Sequence, residues 1–324
     1  MFKQLAFSLA ALGVAVSPLA VQAQSAWPTQ PITMVVPFPP GGSTDVIARL
    51  FAVKLGERLK QPVVIENKPG ANTGIGAQAV ARAKPDGYTV MITGAPTFTS
   101  NSLLYANLGY DPITSYDYIA IAGSAPFVIL TNTQTGLTSV GDIVRESAKQ
   151  PLNFGSFGTA STPHLAGESL AQRSGAKLVH IPYRGSAPAM TDLIGNQIPL
   201  SIDTLVAALP QIRGGKVKAV ALTSGEPSTL LPGVPTVASS DPKLAGYDFQ
   251  TWYGIAAPKG TPKPVLDRLT REVQDMMAEA DTQARMRELG FDPSFAGADA
   301  FKARVEQELK RNGAVIKEAN IKVD

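Results

Sequence analysis

Two α/β lobes, built by one chain that leaves the first lobe, forms the second and returns, are the architecture this sequence predicts. Short apolar runs of β character alternate with amphipathic helical patterns, which argues for mostly parallel sheets with helices on both faces. Two glycine loops of the same strand-loop-helix form occur far apart, at residues 37–45 and 153–164. A pair of amphipathic helices closes the chain and needs a sheet to cover. At 324 residues and 44% hydrophobic content, the chain can bury the core of two domains.

At the N-terminus, Lys3 precedes an apolar stretch over residues 5–19 and the small-residue pattern Val21-Gln22-Ala23. This reads as a bacterial-type signal peptide cleaved after Ala23. No later segment is long and apolar enough to span a membrane, so the mature chain is expected to be soluble and exported. The absence of cysteine excludes thiol catalysis, disulfides and cysteine-ligated metals. With 29 basic against 26 acidic residues the net charge is only +3, and no basic cluster marks a nucleic-acid surface.

The first strand is predicted at residues 32–36 and the first helix at 44–59. That helix places Ile47, Leu50, Phe51 and Leu55 on one face, with Arg49, Glu57, Arg58 and Lys60 largely elsewhere. Ser43 or Thr44 is expected to cap it, and Asp45 suits its first turn, where a negative charge favours the dipole. Further strands are predicted at 63–66, 89–92, 119–122, 127–130, 179–182, 200–202 and 217–222, with a helix at 165–172. The closing helices are predicted at 263–289, with Leu266, Leu269, Val273 and Met276 at helical spacing, and at 299–319, with Phe301, Val305, Leu309 and Ile316. Met276 and Met277 read as core filler.

Pro37-Phe38-Pro39-Pro40-Gly41-Gly42-Ser43-Thr44-Asp45 joins a strand to a helix N-terminus, where free N–H groups and the positive end of the dipole favour a carboxylate or phosphate. The stretch from Asn153 to His164 repeats this logic. Facing each other across a cleft, the two could hold both ends of a dianion beyond the carboxyl ends of strands; both could equally be ordinary turns. Ser161 with His164 suggests a rival, an exported hydrolase or lyase. Such an enzyme also needs an orienting acid and an oxyanion hole, and no Gly-x-Ser-x-Gly elbow is present. Gly74-Ile75-Gly76 imitates a dinucleotide fingerprint but lacks an acidic residue about 20 positions on. Asp45 has no second ligand at metal spacing. Trp252 and Tyr253 read as hinge packing.

Val64-Ile65-Glu66-Asn67-Lys68-Pro69-Gly70-Ala71, Lys84-Pro85-Asp86-Gly87-Tyr88-Thr89, Tyr110-Asp111-Pro112, Pro182-Tyr183-Arg184-Gly185, Asp192-Leu193-Ile194-Gly195, Pro235-Thr236 and Pro258-Lys259-Gly260-Thr261-Pro262 come after the Pro37 to Asp45 opening in order. Together they resemble the Bug/TctC family, the periplasmic substrate-binding components of tripartite tricarboxylate transporters. The resemblance implies a two-lobed periplasmic-binding-protein fold of Venus flytrap type that closes on a small carboxylate. It implies a non-enzyme without cofactor or metal, monomeric, that meets integral membrane transporter subunits. The lobes would be residues 24–124 plus 249–324, and 125–248.

Carried over by position, Phe38, Gly41 and Gly42 would line the first loop, with Ala95, Pro96 and Thr97 in a second loop of that lobe. Gly158, Thr159, Ser161 and Thr162 would line the other lobe, joined by Arg184, Gly185 and Asp203. Arg184 could pair with a ligand carboxylate or a local acid. Asp203 could bind a ligand amine, order a water or cap the next stretch of chain. Where many relatives have Ser-His-Ala-x-Asn, this chain has Thr97-Phe98-Thr99-Ser100-Asn101. Phe98 either favours a ligand with an apolar or aromatic middle or packs beneath the loop.

Overall fold

Alternation of apolar residues along the strands sends neighbours to opposite sheet faces, and a computed structural model of the protein, describing residues 27–322, has this arrangement. The expected leader and its cleavage point after Ala23 lie outside the described residues. Within β1 (Ile32–Val36), Ile32, Met34 and Val36 enter one core cluster while Val35 enters another. The chain continues through α1 (Ser43–Leu59), β2 (Val63–Asn67), α2 (Gly74–Ala81), β3 (Thr89–Gly94) and two helical turns, α3 (Ala95–Phe98) and α4 (Ser100–Leu104). It crosses on β4 (Tyr116–Asn132) to α5 (Val140–Lys149), β5 (Leu152–Ser156), α6 (Thr162–Ser174), β6 (Leu178–Pro182), α7 (Ser186–Ile194), β7 (Leu200–Thr204), α8 (Leu205–Arg213), β8 (Val217–Leu222) and α9 (Val237–Ser240). It returns on β9 (Gln250–Pro258) to α10 (Lys263–Ala278), α11 (Ala280–Glu288), β10 (Asp292–Gly297) and α12 (Ala298–Glu318).

The strand order is β2-β1-β3-β9-β4-β7-β5-β6, with β8 and β10 also paired to β4. The strand-loop-helix units pair in parallel, β1 with β2 and β3, and β5 with β6 and β7. Every pairing through β4 or β9 is antiparallel, because these two strands carry the chain across and back. β4 spans 17 residues where the sequence suggested two strands. Gly123, at φ +88°, together with a register shift between Ile121 and Ser124, bulges the strand without ending it. β4 pairs with β9 up to Pro126 and with β7 from Phe127 onward.

Two core clusters flank the β1/β3/β9 region. Ile47, Phe51, Leu55, Val273 and Met276 fill one, and Phe98, Tyr116, Trp252 and Phe301 fill the other. Phe154, Leu165 and Ile202 centre a third, and Leu130, Leu193 and Leu205 a fourth. Met276 and Met277 are buried as core filler. The predicted helix 263–289 is broken at Glu279, whose extended backbone (ψ 128°) separates α10 from α11. α12 bridges the clusters: Phe301 and Val305 pack in the first lobe, Val315 and Ile316 against the cluster of Phe154 and Tyr247. The chain end is therefore not confined to the lobe in which its helix starts.

Candidate functional site

Gly42, in extended backbone, is the N-cap of α1, and neither Ser43 nor Thr44 supplies a capping side chain. Asp45, at the third helical position, reaches back instead. Its Oδ2 accepts from the Gly41 N–H (2.9 Å) and Arg49 Nε (2.9 Å), and its Oδ1 from Arg49 Nη2 (2.9 Å) and Asn67 Nδ2 (2.9 Å). Asn67 Nδ2 also donates to the Phe38 carbonyl (3.1 Å), which ties the loop to the end of β2. Burial pushes the Asp45 carboxyl up, but hydrogen bonds from Arg49, Gly41 and Asn67 outweigh it and hold the pKa below the ordinary value. The Gly41 N–H is thus engaged inside the loop. The first intrahelical bond is from Val46 N–H to the Gly42 carbonyl, so the amides of Ser43, Thr44 and Asp45 are the ones the helix leaves without an internal partner.

The second loop of this lobe leaves β3 at Gly94 and turns immediately into α3. Ala95 is buried and Pro96 half-buried. Thr97 does not offer its hydroxyl to a cleft: it lies 2.6 Å from Thr93 Oγ1 and donates to Thr73 Oγ1 (2.8 Å), while its carbonyl accepts from Tyr110 Oη (2.8 Å). Phe98 is fully buried beneath the loop. Its ring stacks on Trp252 (6.0 Å) and meets Tyr116, Tyr118 and Phe301 edge-on. The packing alternative for Phe98 therefore holds, and a ligand preference based on it has no footing.

In the second lobe hydroxyls and two histidines do the bracing. Ser161 Oγ donates to the Gly158 carbonyl (2.7 Å), Gly158 N–H donates to Ser156 Oγ (3.2 Å), and Ser156 Oγ lies 2.6 Å from His180 Nε2. His164 Nδ1 accepts from the Ala160 N–H (2.8 Å), and its ring stacks on His180 at 3.6 Å. Burial first, then the adjacent His164, pull the His180 pKa down to about 3, so this imidazole is neutral. Gly158 adopts φ +128°, a conformation that glycine tolerates. Thr159 is half-buried and Thr162 opens α6. With the Ser161 hydroxyl on Gly158 and His164 Nδ1 on Ala160, the two residues of the rival nucleophile reading are turned to holding the loop.

β6 leads through Tyr183, whose hydroxyl donates to Asp192 (2.7 Å), to exposed Arg184 and then Gly185 at φ +122°. Arg184 forms no ion pair among the described residues. Asp203, at the end of β7, is fully buried, accepting from Ser186 Oγ (2.6 Å) and the Thr204 N–H (2.7 Å). Burial pushes its carboxyl up to about 7 against the lowering effect of these donors. The lobes touch where Ser100 Oγ donates to the Ala160 carbonyl (3.0 Å) and where a Cβ on Gly290 would come within 2.9 Å of Val206 Cα. Two surface hollows, of about 380 and 350 Å³, lie elsewhere, around Tyr105 and around Ser224. Among the described residues no cluster of His, Cys, Asp and Glu could hold a metal, and no helix is long and apolar enough to cross a membrane.

Sequence reasoning missed Asp45, Asn67 and His180 as supports of the loops, Ser100 as an inter-lobe contact, and the unpartnered buried hydroxyl of Tyr253. Only Asp45 had a local signal, its place in the first helical turn.

The model of the tripartite tricarboxylate transporter family receptor, TctC, matches residues 47–321. Protein BugT of Bordetella pertussis is 32% identical over 324 residues, covering 97% of this chain and 98% of BugT. R. palustris Rpa4515, solved with adipate, is 32% identical with a TM-score of 0.87, over 91% of this chain and 99% of that one. MatC of Rhodopseudomonas palustris, solved with bound malate, is 28% identical with a TM-score of 0.80, over 90% and 100%. The fold of the present chain is the two-lobed one of periplasmic binding proteins, and the chain belongs to the tripartite tricarboxylate transporter receptor family, the Bug/TctC proteins.

Proposed function

We propose that this protein is a periplasmic solute-binding protein that captures a small dicarboxylate by clamshell closure and hands it to the membrane subunits of a tripartite tricarboxylate-type transporter. The observation that carries the reading is that the segment following β3 of the first lobe, through Ser100, touches the strand-loop-helix junction of the second lobe at the Ala160 carbonyl, while the first lobe carries a junction of the same form at residues 37–45. Two helix N-termini suit two carboxylate ends. The neighbours solved with adipate and malate support an acidic ligand of that size. Capture in an open state and then hinge closure require only that the ligand bind the closed form better.

The binding surface in this reading is Phe38, Gly42, Ala95, Pro96, Thr159, Thr162, Arg184 and Gly185, with Gly41, Thr97, Gly158, Ser161 and Asp203 shaping the loops around it. The lobes in this reading are residues 24–124 plus 249–324, with the end of α12 as a third bridge, and 125–248. The mature protein acts as a monomer in the periplasm after cleavage behind Ala23, without a cofactor and without catalysis.

Calorimetric titration of purified protein with adipate, malate, citrate and terephthalate tests the reading. Saturable binding of at least one dicarboxylate, with a raised melting temperature and no chemical change in the ligand, is expected. Binding of none of the panel would overturn it. Turnover of a ligand, abolished by His164→Ala, would replace it with the hydrolase reading.

A further inference from the structure

The hydroxyl of Tyr253 is a buried polar atom with no hydrogen-bond partner among the described residues. Buried hydroxyls are rarely left so, and each such case needs a cause. Its ring is fixed in the first-lobe core, edge-on to Phe291 at 5.4 Å. Its position on β9 is opposite Gly94, the last residue of β3, from which the Ala95 loop departs. Tyr253 thus stands at the carboxyl end of the parallel strands, where ligands of α/β sheets bind. Groups from both lobes act on its hydroxyl: Ser43 of the first loop and Thr251 of β9 bring hydroxyls close enough to lower its pKa without reaching hydrogen-bond geometry, and Asp203 at the end of β7 adds its charge.

Burial raises the Tyr253 pKa, so the phenol keeps its proton and is available as a donor. Asp203 accepts from Ser186 and Thr204 but takes no bond from the Tyr253 hydroxyl. We propose that the Tyr253 hydroxyl is a direct ligand contact, donating to a carboxylate oxygen held between the lobes. This inference rests on the carboxylate-binding reading of the lobe junction. A carboxylate arriving there also meets in Asp203 an acid pushed up to about 7, which can take a proton in place of presenting a second fixed negative charge.

Tyr253→Phe keeps the ring and removes only the hydroxyl. Calorimetry with adipate and malate, and melting curves of the ligand-free protein, are measured on both forms. The expected result is a loss of about tenfold to a hundredfold in affinity, the value of one hydrogen bond to a charged group. The ligand-free melting temperature is expected to stay or rise, because an unpartnered buried hydroxyl has been removed. Wild-type binding with unchanged affinity in the variant would overturn this inference alone. A joint fall of affinity and melting temperature would assign Tyr253 to packing and overturn it as well. Wild-type failure to bind either acid or any other member of the panel would overturn the carboxylate reading, and this inference with it.

Discussion

The two glycine loops have the same backbone plan and are held by opposite chemistry. In the first, a carboxylate gathers Gly41, Arg49 and Asn67 around its charge. In the second, neutral hydroxyls and two stacked imidazoles do the work, with Ser161 on Gly158, His164 on Ala160, and Ser156 beside His180. The comparison teaches that a helix N-terminus prepared for an anion can be braced by a buried acid, provided that the acid is neutralised inside the loop, or by hydroxyls and imidazoles. It also separates the loops by pH, since one brace fails only in strong acid and the other is exposed to histidine protonation.

The largest expected effect comes from that separation. With a folded-state pKa of about 3 against 6.5 when unfolded, His180 binds fewer protons in the folded chain, so stability falls as pH drops below 6.5 and the loss saturates near 3. The cost is about 2 kcal/mol at pH 5 and about 4 kcal/mol at pH 3. Asp45, with a lowered pKa, contributes stability above its unfolded value of 3.8 that is lost only as pH falls through the folded value. Hydrogen exchange between pH 7 and pH 4 should therefore show residues 154–164 losing protection before residues 37–45. Simultaneous loss in both loops would break the comparison.

Next is removal of the charged brace. Asp45→Ala strips the acceptor from Gly41 and Asn67 and is expected to cost about 2–3 kcal/mol in chemical denaturation, from hydrogen bonds to a charged group. Ser161→Ala removes one neutral bond and should cost about 1 kcal/mol; equal losses would mean that the charge adds nothing.

Backbone geometry gives the third test. Gly158→Ala forces an alanine to φ +128° and should cost about 1–3 kcal/mol with loss of ligand affinity. Gly41→Ala, at φ +85° with open space around a Cβ, should cost about 1 kcal/mol. The smallest effect concerns the contact between the loops' lobes. Ser100→Ala removes the bond to the Ala160 carbonyl, worth about 1 kcal/mol, and should weaken ligand binding severalfold and enlarge the radius of gyration seen by small-angle scattering. An unchanged radius and affinity would show that this contact does not help to hold the lobes together.

The first loop was legible because its signals are local: a strand, two glycines of which Gly41 needs positive φ, and a helix with Asp45 in its first turn. The cap was misread because the side chain that satisfies this end comes from the third helical position. Phe98 illustrates the same limit. Its substitution for a polar residue suggested a ligand wall, yet four aromatic rings from three distant segments close around it. β4 was seen as two strands because a glycine bulge and the end of a strand look alike along one chain.

By itself the sequence determined the alternating elements, the two strand-loop-helix junctions and the family, since periodicity, turn residues and motif order are properties of neighbouring positions. Only the tertiary structure decided which hydroxyls and acids face the lobe junction and which serve as braces. Asn67, His180 and Tyr253 reach the loops across sheet pairings that join residues far apart in the chain, and whether a polar atom there is satisfied or left for a ligand depends on that packing alone.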